Sequence, residues 1–191
     1  LISVPNVEYT TLTQCRSWLP DPVGGIVWVA LGAQDTSCYL PFYAGATAIP
    51  KSFGIGDHFV LNRDSARWAF DYVDFHVQVA YNAAIEDVKA AQKTWEDGAL
   101  DRIPEIDARA AELYKKSPKE AVRFLTDFSL SNATSVVGAW WKLGDDLWVK
   151  YNHLGLYNAE KRSSGRIPTA NPEWWNRAVK AFDILTEPEK K

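Results

Sequence analysis

The stretch Asn6-Val7-Glu8-Tyr9-Thr10-Thr11-Leu12-Thr13-Gln14-Cys15-Arg16-Ser17-Trp18-Leu19-Pro20-Asp21-Pro22-Val23-Gly24-Gly25-Ile26-Val27-Trp28-Val29 decides the fold. Tyr9 to Arg16 is rich in threonine, tyrosine and other residues that fit a pleated surface. Leu19-Pro20-Asp21-Pro22 ends the pairing, because proline carries no N–H for a ladder. Gly24-Gly25 closes the turn. Ile26 to Leu31 is an unbroken apolar run, the pattern of a strand covered on both faces. Gly32-Ala33-Gln34-Asp35 turns the chain again, and Ser37 to Tyr43 reads as a third strand, with Pro41 indicating an edge or a bulge. Residues 1–61 are therefore expected to form an antiparallel meander, with a loop from Ile49 to Asp57.

The hydrophobic period changes after Asn62. Asp64 or Ser65 can cap a helix, and Ala69, Tyr72, Val73, His76, Val77, Ala80, Ala84, Val88, Ala91 and Trp95 recur at helical spacing. That pattern predicts one helix of about 30 residues ending near Gly98, the glycine acting as a C-terminal stop. A shorter helix is expected over Pro104 to Lys116. A third starts at Pro118 after Ser117, with Gly144 as a break or kink and Asp145-Asp146 opening a further helical turn. Residues 152–171 read as loop. Asn171-Pro172-Glu173 opens a last helix, whose apolar positions are Trp174, Trp175, Ala178, Val179, Phe182 and Leu185. The class is α+β, with strands in 1–61 and a mostly helical region over 62–191.

Composition bounds the function. The 191 residues are 47% hydrophobic, with nine Trp, eight Tyr and eight Phe, enough for a well-packed core. The net charge of -3 and the lack of a Lys/Arg cluster weigh against a nucleic-acid partner. No apolar run reaches about 18 residues, so no membrane span is expected. Cys15 and Cys38 form no disulfide framework and read as two buried thiols, which slightly favours a reducing, cytoplasmic compartment over a secreted one. Their positions on adjacent predicted strands leave a single bridge open. The spacings suggest no metal and no cofactor. Leu1-Ile2-Ser3-Val4 lacks the features of a signal peptide, and a chain starting without Met looks cut from a longer precursor.

Several motifs, in order, resemble one family. They are Tyr9 to Gln14 with Arg16-Ser17-Trp18-Leu19-Pro20-Asp21, then Gly24-Gly25-Ile26-Val27-Trp28, Pro41-Phe42-Tyr43-Ala44-Gly45 with Ile49-Pro50, and Asn62-Arg63-Asp64-Ser65-Ala66-Arg67-Trp68-Ala69-Phe70. Together they resemble the cysteine dipeptidases of the N-terminal-nucleophile (Ntn) hydrolase superfamily, well over residues 1 to about 100 and more weakly beyond. The resemblance implies an αββα sandwich of two antiparallel sheets between helical layers. It also implies a mature N-terminal cysteine whose own amine is the general base, with a dipeptide as substrate. Leu1 cannot fill that role, and the amide nitrogen of Cys15 lies in a peptide bond. The nucleophile is therefore expected upstream, with this chain as the C-terminal portion and inactive alone. Its partner would be the remaining N-terminal part of the same enzyme.

By strand alternation Thr10, Gln14 and Arg16 share a face with Glu8 and Leu12. They are candidate substrate-binding residues, since Gln14 or Arg16 can hold a carboxylate or carbonyl. The alternative is a solvated face with a Glu8–Arg16 ion pair. No catalytic residue is assigned within the chain. His58, His76 and His153 are not brought to Cys15 by any spacing, and His76 reads as a core residue. Asp71 and Asp74 share a helix face at a spacing common on solvated helices. Arg63 and Arg67 read as structural, pairing with Asp64, Asp71 or a neighbouring strand. Trp140-Trp141 and Trp174-Trp175 read as packing between helices. Asn132-Ala133-Thr134 matches a glycosylation acceptor but lies within a predicted helix. Two further readings stand beside the dipeptidase: a non-enzymatic accessory or binding domain, and an Ntn acylase acting on a non-peptide amide. Apolar helical surface makes a homo-oligomer plausible.

Overall fold

The structure is a computed structural model of the chain, and it describes residues 7–152, 155–158, 160–166, Arg177 and Lys180. The fold is α+β. Strand β1 (Tyr9–Cys15) runs into α1 (Asp21–Gly24), a single turn started by Pro20 and Pro22. Strands β2 (Gly25–Leu31) and β3 (Leu40–Tyr43) follow. The three strands form an antiparallel sheet in the order β1-β2-β3, with Leu12 opposite Trp28 and Trp28 opposite Pro41. The expected meander is present, but the third strand begins at Leu40 rather than Ser37. Tyr39 instead gives its backbone N–H to Glu96.

Side chains alternate between two apolar clusters. Val29, Leu31, Leu40 and Phe42 belong to a cluster with Phe70, Val73, Val77, Val136 and Trp140. Ile26, Trp28 and Tyr43 belong to a second cluster with Val23, Ile103, Leu125 and Phe128. The run expected to be buried on both faces is only partly so, since Ile26 and Ala30 alone are fully buried in β2. The strand buried throughout is β3. The reason is position: among the described residues β2 has only β1 beyond it, and six of the seven β1 residues are exposed.

After a 3₁₀ turn at Lys51–Gly54 come α2 (Ala66–Val79), α3 (Tyr81–Gln92), a wider π-helical turn (Lys93–Asp97), α4 (Gly98–Lys116) and α5 (Pro118–Tyr151). The predicted 30-residue helix is broken at Ala80, whose φ of -147° and ψ of 49° leave the helical region. An unbroken helix of that length would extend about 45 Å. The break turns α3 back so that Ala84, Ile85 and Val88 join the cluster around Phe70 and Trp140. Gly98 does not stop the helix either: its φ of -64° is helical, and the chain continues into α4 with Pro104 inside it.

Ser117 caps α5, its hydroxyl accepting the Glu120 amide, and Pro118 occupies the first helical position as the sequence indicates. Helix α5 is not broken at Gly144, where the glycine makes room for Tyr72 of α2. Asp145 and Asp146 accordingly lie inside α5 and pair with Arg63 and Lys142. The segment read as loop contains a hairpin, β4 (Gly155–Asn158) with β5 (Ser163–Arg166). Both cysteines are free thiols, and Cys15 is exposed, which corrects the reading of two buried ones. Cys38 is buried, and desolvation pushes its thiol pKa well above the ordinary range. Trp140 is fully buried and Trp141 packs beside the same cluster, while the helix read from Pro172, with Trp174 and Trp175, lies outside the described residues, as does His153. No helix among the described residues is long and apolar enough to cross a membrane.

Candidate functional site

The face on which sequence placed the candidates is the exposed strand β1 and the loop beside it. Thr10 is partly buried, and its hydroxyl accepts from Gln34 Nε2. Gln14 is exposed, and its Oε1 accepts from Trp28 Nε1 at 3.3 Å, across the ladder. These two lie four residues apart, on the side of the sheet shared with Ile26 and Trp28.

Arg16 behaves differently. It follows the last residue of β1, is 7% exposed, and turns into the protein. Its Nε and Nη2 donate to the Gly24 and Val23 carbonyls at 3.3 and 2.7 Å, and its Nη1 pairs with Asp107 of α4. The other oxygen of Asp107 accepts from Tyr43 Oη at 2.7 Å. Burial is the main cause that raises the Tyr43 pKa, and the Asp107 carboxylate adds to it. The planar donor fork thus ties the turn after β1 to the helix beneath, and the predicted Glu8–Arg16 pair does not form. Sequence did not point to Asp107, although one signal was present: a carboxylate set among Ile103, Ile106 and Ala110 on a helix face is a buried acid in need of a cation.

Glu8 pairs instead with Arg67 near the start of α2, and it lies 3.9 Å from His58 Nε2. Arg67 Nε reaches both oxygens of Asp71 at 2.8 Å, one helical turn on. Arg67 therefore joins the β1 end to α2, combining the two pairings read from sequence, Asp71 and a neighbouring strand. The loop beside them is held by Asp57, whose Oδ1 accepts the Phe59 and Val60 amides and whose carbonyl accepts Trp68 Nε1. Gly56, at a φ of +116°, lets this loop lie directly over the Ser65 hydroxyl.

A cavity of about 210 Å³ opens here, lined by Gly56, Asp57, His58, Ser65, Arg67 and Asp71 among others. The Ser65 hydroxyl is buried with no partner among the described residues. Glu8, Asp57 and Asp71 outweigh Arg67 in charge, so the rim suits a cationic group better than an anion.

The remaining candidates are scaffold. His76 is 7% exposed with its Nδ1 2.6 Å from the Tyr72 carbonyl, in line with a satisfied core histidine. Asp74 accepts from Thr36 and Gln78, apart from Asp71. Arg63 lies over the Tyr72 and Trp141 rings. Asn132 is buried in α5 and accepts from Arg102, so the sequon is not accessible in the folded chain.

Strands β1 to β3, the loop over Ser65, α2 and α3 all lie within one stretch of sequence similarity. Residues 1–94 match a single family, described as Peptidase family C69. A probable dipeptidase B from Streptococcus pyogenes serotype M1 is 25% identical over 121 residues, a match covering 58% of this chain and 24% of that protein. The chain thus spans about a quarter of the length of the curated relative it matches. Residues 1–94, the part of the chain that carries the sheet and the site, are thus similar in sequence to peptidase family C69.

Proposed function

We propose that this chain is the C-terminal portion of a cysteine dipeptidase, and that the complete enzyme hydrolyses dipeptides through an N-terminal cysteine lying upstream of Leu1. The observation that carries the reading is the family match over the residues that build the sheet. The relative's name, a probable dipeptidase, gives the substrate class. In this reading residues 1–61 are strands of an Ntn-type αββα core, residues 62–191 are the helical region packed on it, and the upstream part of the enzyme completes both sheet and active site.

The reaction divides into two steps. The free α-amine of the upstream cysteine takes the thiol proton, the thiolate adds to the scissile carbonyl, and the leaving amine departs protonated. Water then hydrolyses the thioester and restores the cysteine. The residues of this chain bind and orient. Thr10 and Gln14 present a hydroxyl and an amide from the open strand, and the carboxylate-rich rim beside Arg67 suits the free amine of a dipeptide. Arg16, proposed with them, acts by holding the turn in place, since its donors are already taken by Val23, Gly24 and Asp107.

The test is made on the intact enzyme. Changing the upstream cysteine to alanine is expected to abolish dipeptide hydrolysis while the fold persists by circular dichroism. Gln14→Ala is expected to raise KM with a smaller effect on kcat. Dipeptide hydrolysis retained by the cysteine-to-alanine protein would overturn the mechanism.

A further inference from the structure

Ser65 stands at the N-terminal cap position of α2, where a serine side chain ordinarily accepts a free amide of the first turn. Here it makes no such bond. The residue is 0% exposed, and its Oγ has no hydrogen-bond partner among the described residues. A buried hydroxyl in that condition is unfavourable, because it has lost water and gained no replacement. Gly56 covers it: a Cβ built on that glycine would come to 2.6 Å from Ser65 Oγ. Both residues line the cavity of about 210 Å³ beside Arg67.

The cover is lightly held. Asp57 folds the loop tip by accepting the Phe59 and Val60 amides, bonds internal to the loop. Among the described residues, the polar ties from residues 55–61 to the rest of the fold are two. Trp68 Nε1 donates to the Asp57 carbonyl at 3.0 Å, and His58 Nε2 lies 3.9 Å from Glu8. Phe59 at the tip is 96% exposed, so packing does not anchor it. The charges around the cavity decide what can enter. Glu8, Asp57 and Asp71 stand against Arg67, which Glu8 and Asp71 already hold. The second carboxylate oxygen of Asp57 has no partner among the described residues.

We infer that this cavity receives a primary ammonium group, that Ser65 Oγ is the acceptor that fixes it with Asp57 as the countercharge, and that Gly56 lifts off the hydroxyl as the group enters. An ammonium brings three donors and no acceptor, which suits a free hydroxyl oxygen and a free carboxylate oxygen. An anion would meet three carboxylates, and a quaternary ammonium would bring charge without donors. The inference rests on the dipeptidase reading for the identity of the ligand, the free amine of a dipeptide. It makes Ser65 a specificity-determining residue for that amine.

The full 191-residue chain provides the test, with glycinamide as the probe and the backbone amide resonances of Gly56, Asp57 and Ser65 followed by NMR. Saturable shifts are expected with glycinamide, and none with tetramethylammonium or inorganic phosphate. No saturable shift with glycinamide would overturn the inference, and so would equal shifts with tetramethylammonium, which carries charge but no N–H. Ser65→Ala gives a second measurement. Because the hydroxyl caps nothing, its loss is expected to leave Tm at or above that of the parent while weakening glycinamide binding about tenfold. A lower Tm would mark the hydroxyl as a structural cap, and unchanged glycinamide binding would remove it from the site; either result overturns the inference. These measurements need no upstream cysteine. Glycinamide binding by this chain, beside an intact enzyme that does not hydrolyse dipeptides, would refute the peptidase reading and leave the ammonium site standing.

Discussion

The pair Arg16–Asp107 shows what a single buried charge contributes to this fold. Arg16 is 7% exposed and Asp107 13%, and Tyr43 completes the group. Removing one partner leaves the other uncompensated in a poorly solvated place, at a cost of about 3–5 kcal/mol. Asp107→Ala should therefore lower the urea midpoint strongly, and Asp107→Asn somewhat less, because its amide oxygen still accepts from Tyr43. A loss under about 1 kcal/mol would show that the pair is not needed. Three tyrosines, Tyr43 among them, set an alkaline limit. Tyr43 and Tyr151 are shifted upward chiefly by burial, and Tyr81 is pushed up to about 12 chiefly by its hydrogen bond to Asp35. A tyrosine whose folded pKa is raised keeps its proton longer when folded, so the unfolded chain ionises first as pH climbs past about 10. Stability should hold below pH 10 and fall between about 10 and 12, with Tyr43→Phe flattening that decline in denaturation series. Arg16 was visible in the sequence as a residue with a task, but its partner was not. Asp107 lies 91 positions away, and only the packing of α4 under the turn brings them together.

At the scale of elements, strands with cross-strand patterns and helices with side-chain caps were legible. Tyr9–Cys15, Gly25–Leu31 and the start of α5 at Ser117-Pro118 follow from pleat-fitting residues, proline turns and a hydroxyl cap. The break at Ala80 was not legible, because the apolar period runs straight through it and no Gly or Pro marks it. Glycines in α5 were ambiguous for the same reason: their meaning depends on what packs outside. A Cβ on Gly138 meets nothing within 4 Å, whereas one on Gly144 comes to 2.3 Å from Tyr72 Cδ1. The same substitution in one helix should therefore have opposite signs. Gly138→Ala should stabilise by about 0.5–1 kcal/mol through helix propensity. Gly144→Ala should destabilise by about 1–3 kcal/mol, as Tyr72 is pushed from its place beside Trp141. Thermal unfolding of both variants decides the matter, and equal shifts would refute the packing argument.

For the whole molecule the two edges of the sheet are unlike. Along the β3 side, backbone N–H groups find side chains: Tyr39 donates to Glu96, Tyr43 to Ser129 and Thr47 to Thr126. That edge is closed by the helices that pack on it. Among the described residues strand β1 has only β2 beside it, and Tyr9 and Leu12 are 64% and 54% exposed. A seven-residue edge with exposed apolar side chains is a template for further pairing. In the proposed enzyme the upstream part supplies that pairing. Hydrogen exchange separates the cases at single-residue resolution. In the isolated chain the β1 amides that do not bond to β2 should exchange freely, with amides of Leu125 to Trp140 in α5 protected. In a protein extended to include the upstream region, those β1 amides should become protected by at least about a hundredfold, while the α5 amides change little. The proposed site depends on the same pairing, because Thr10 and Gln14 sit on the strand that would be covered and Glu8 joins its start to Arg67. If β1 remains freely exchanging in the extended protein, the sheet does not continue past it, and the active site must be sought away from this edge.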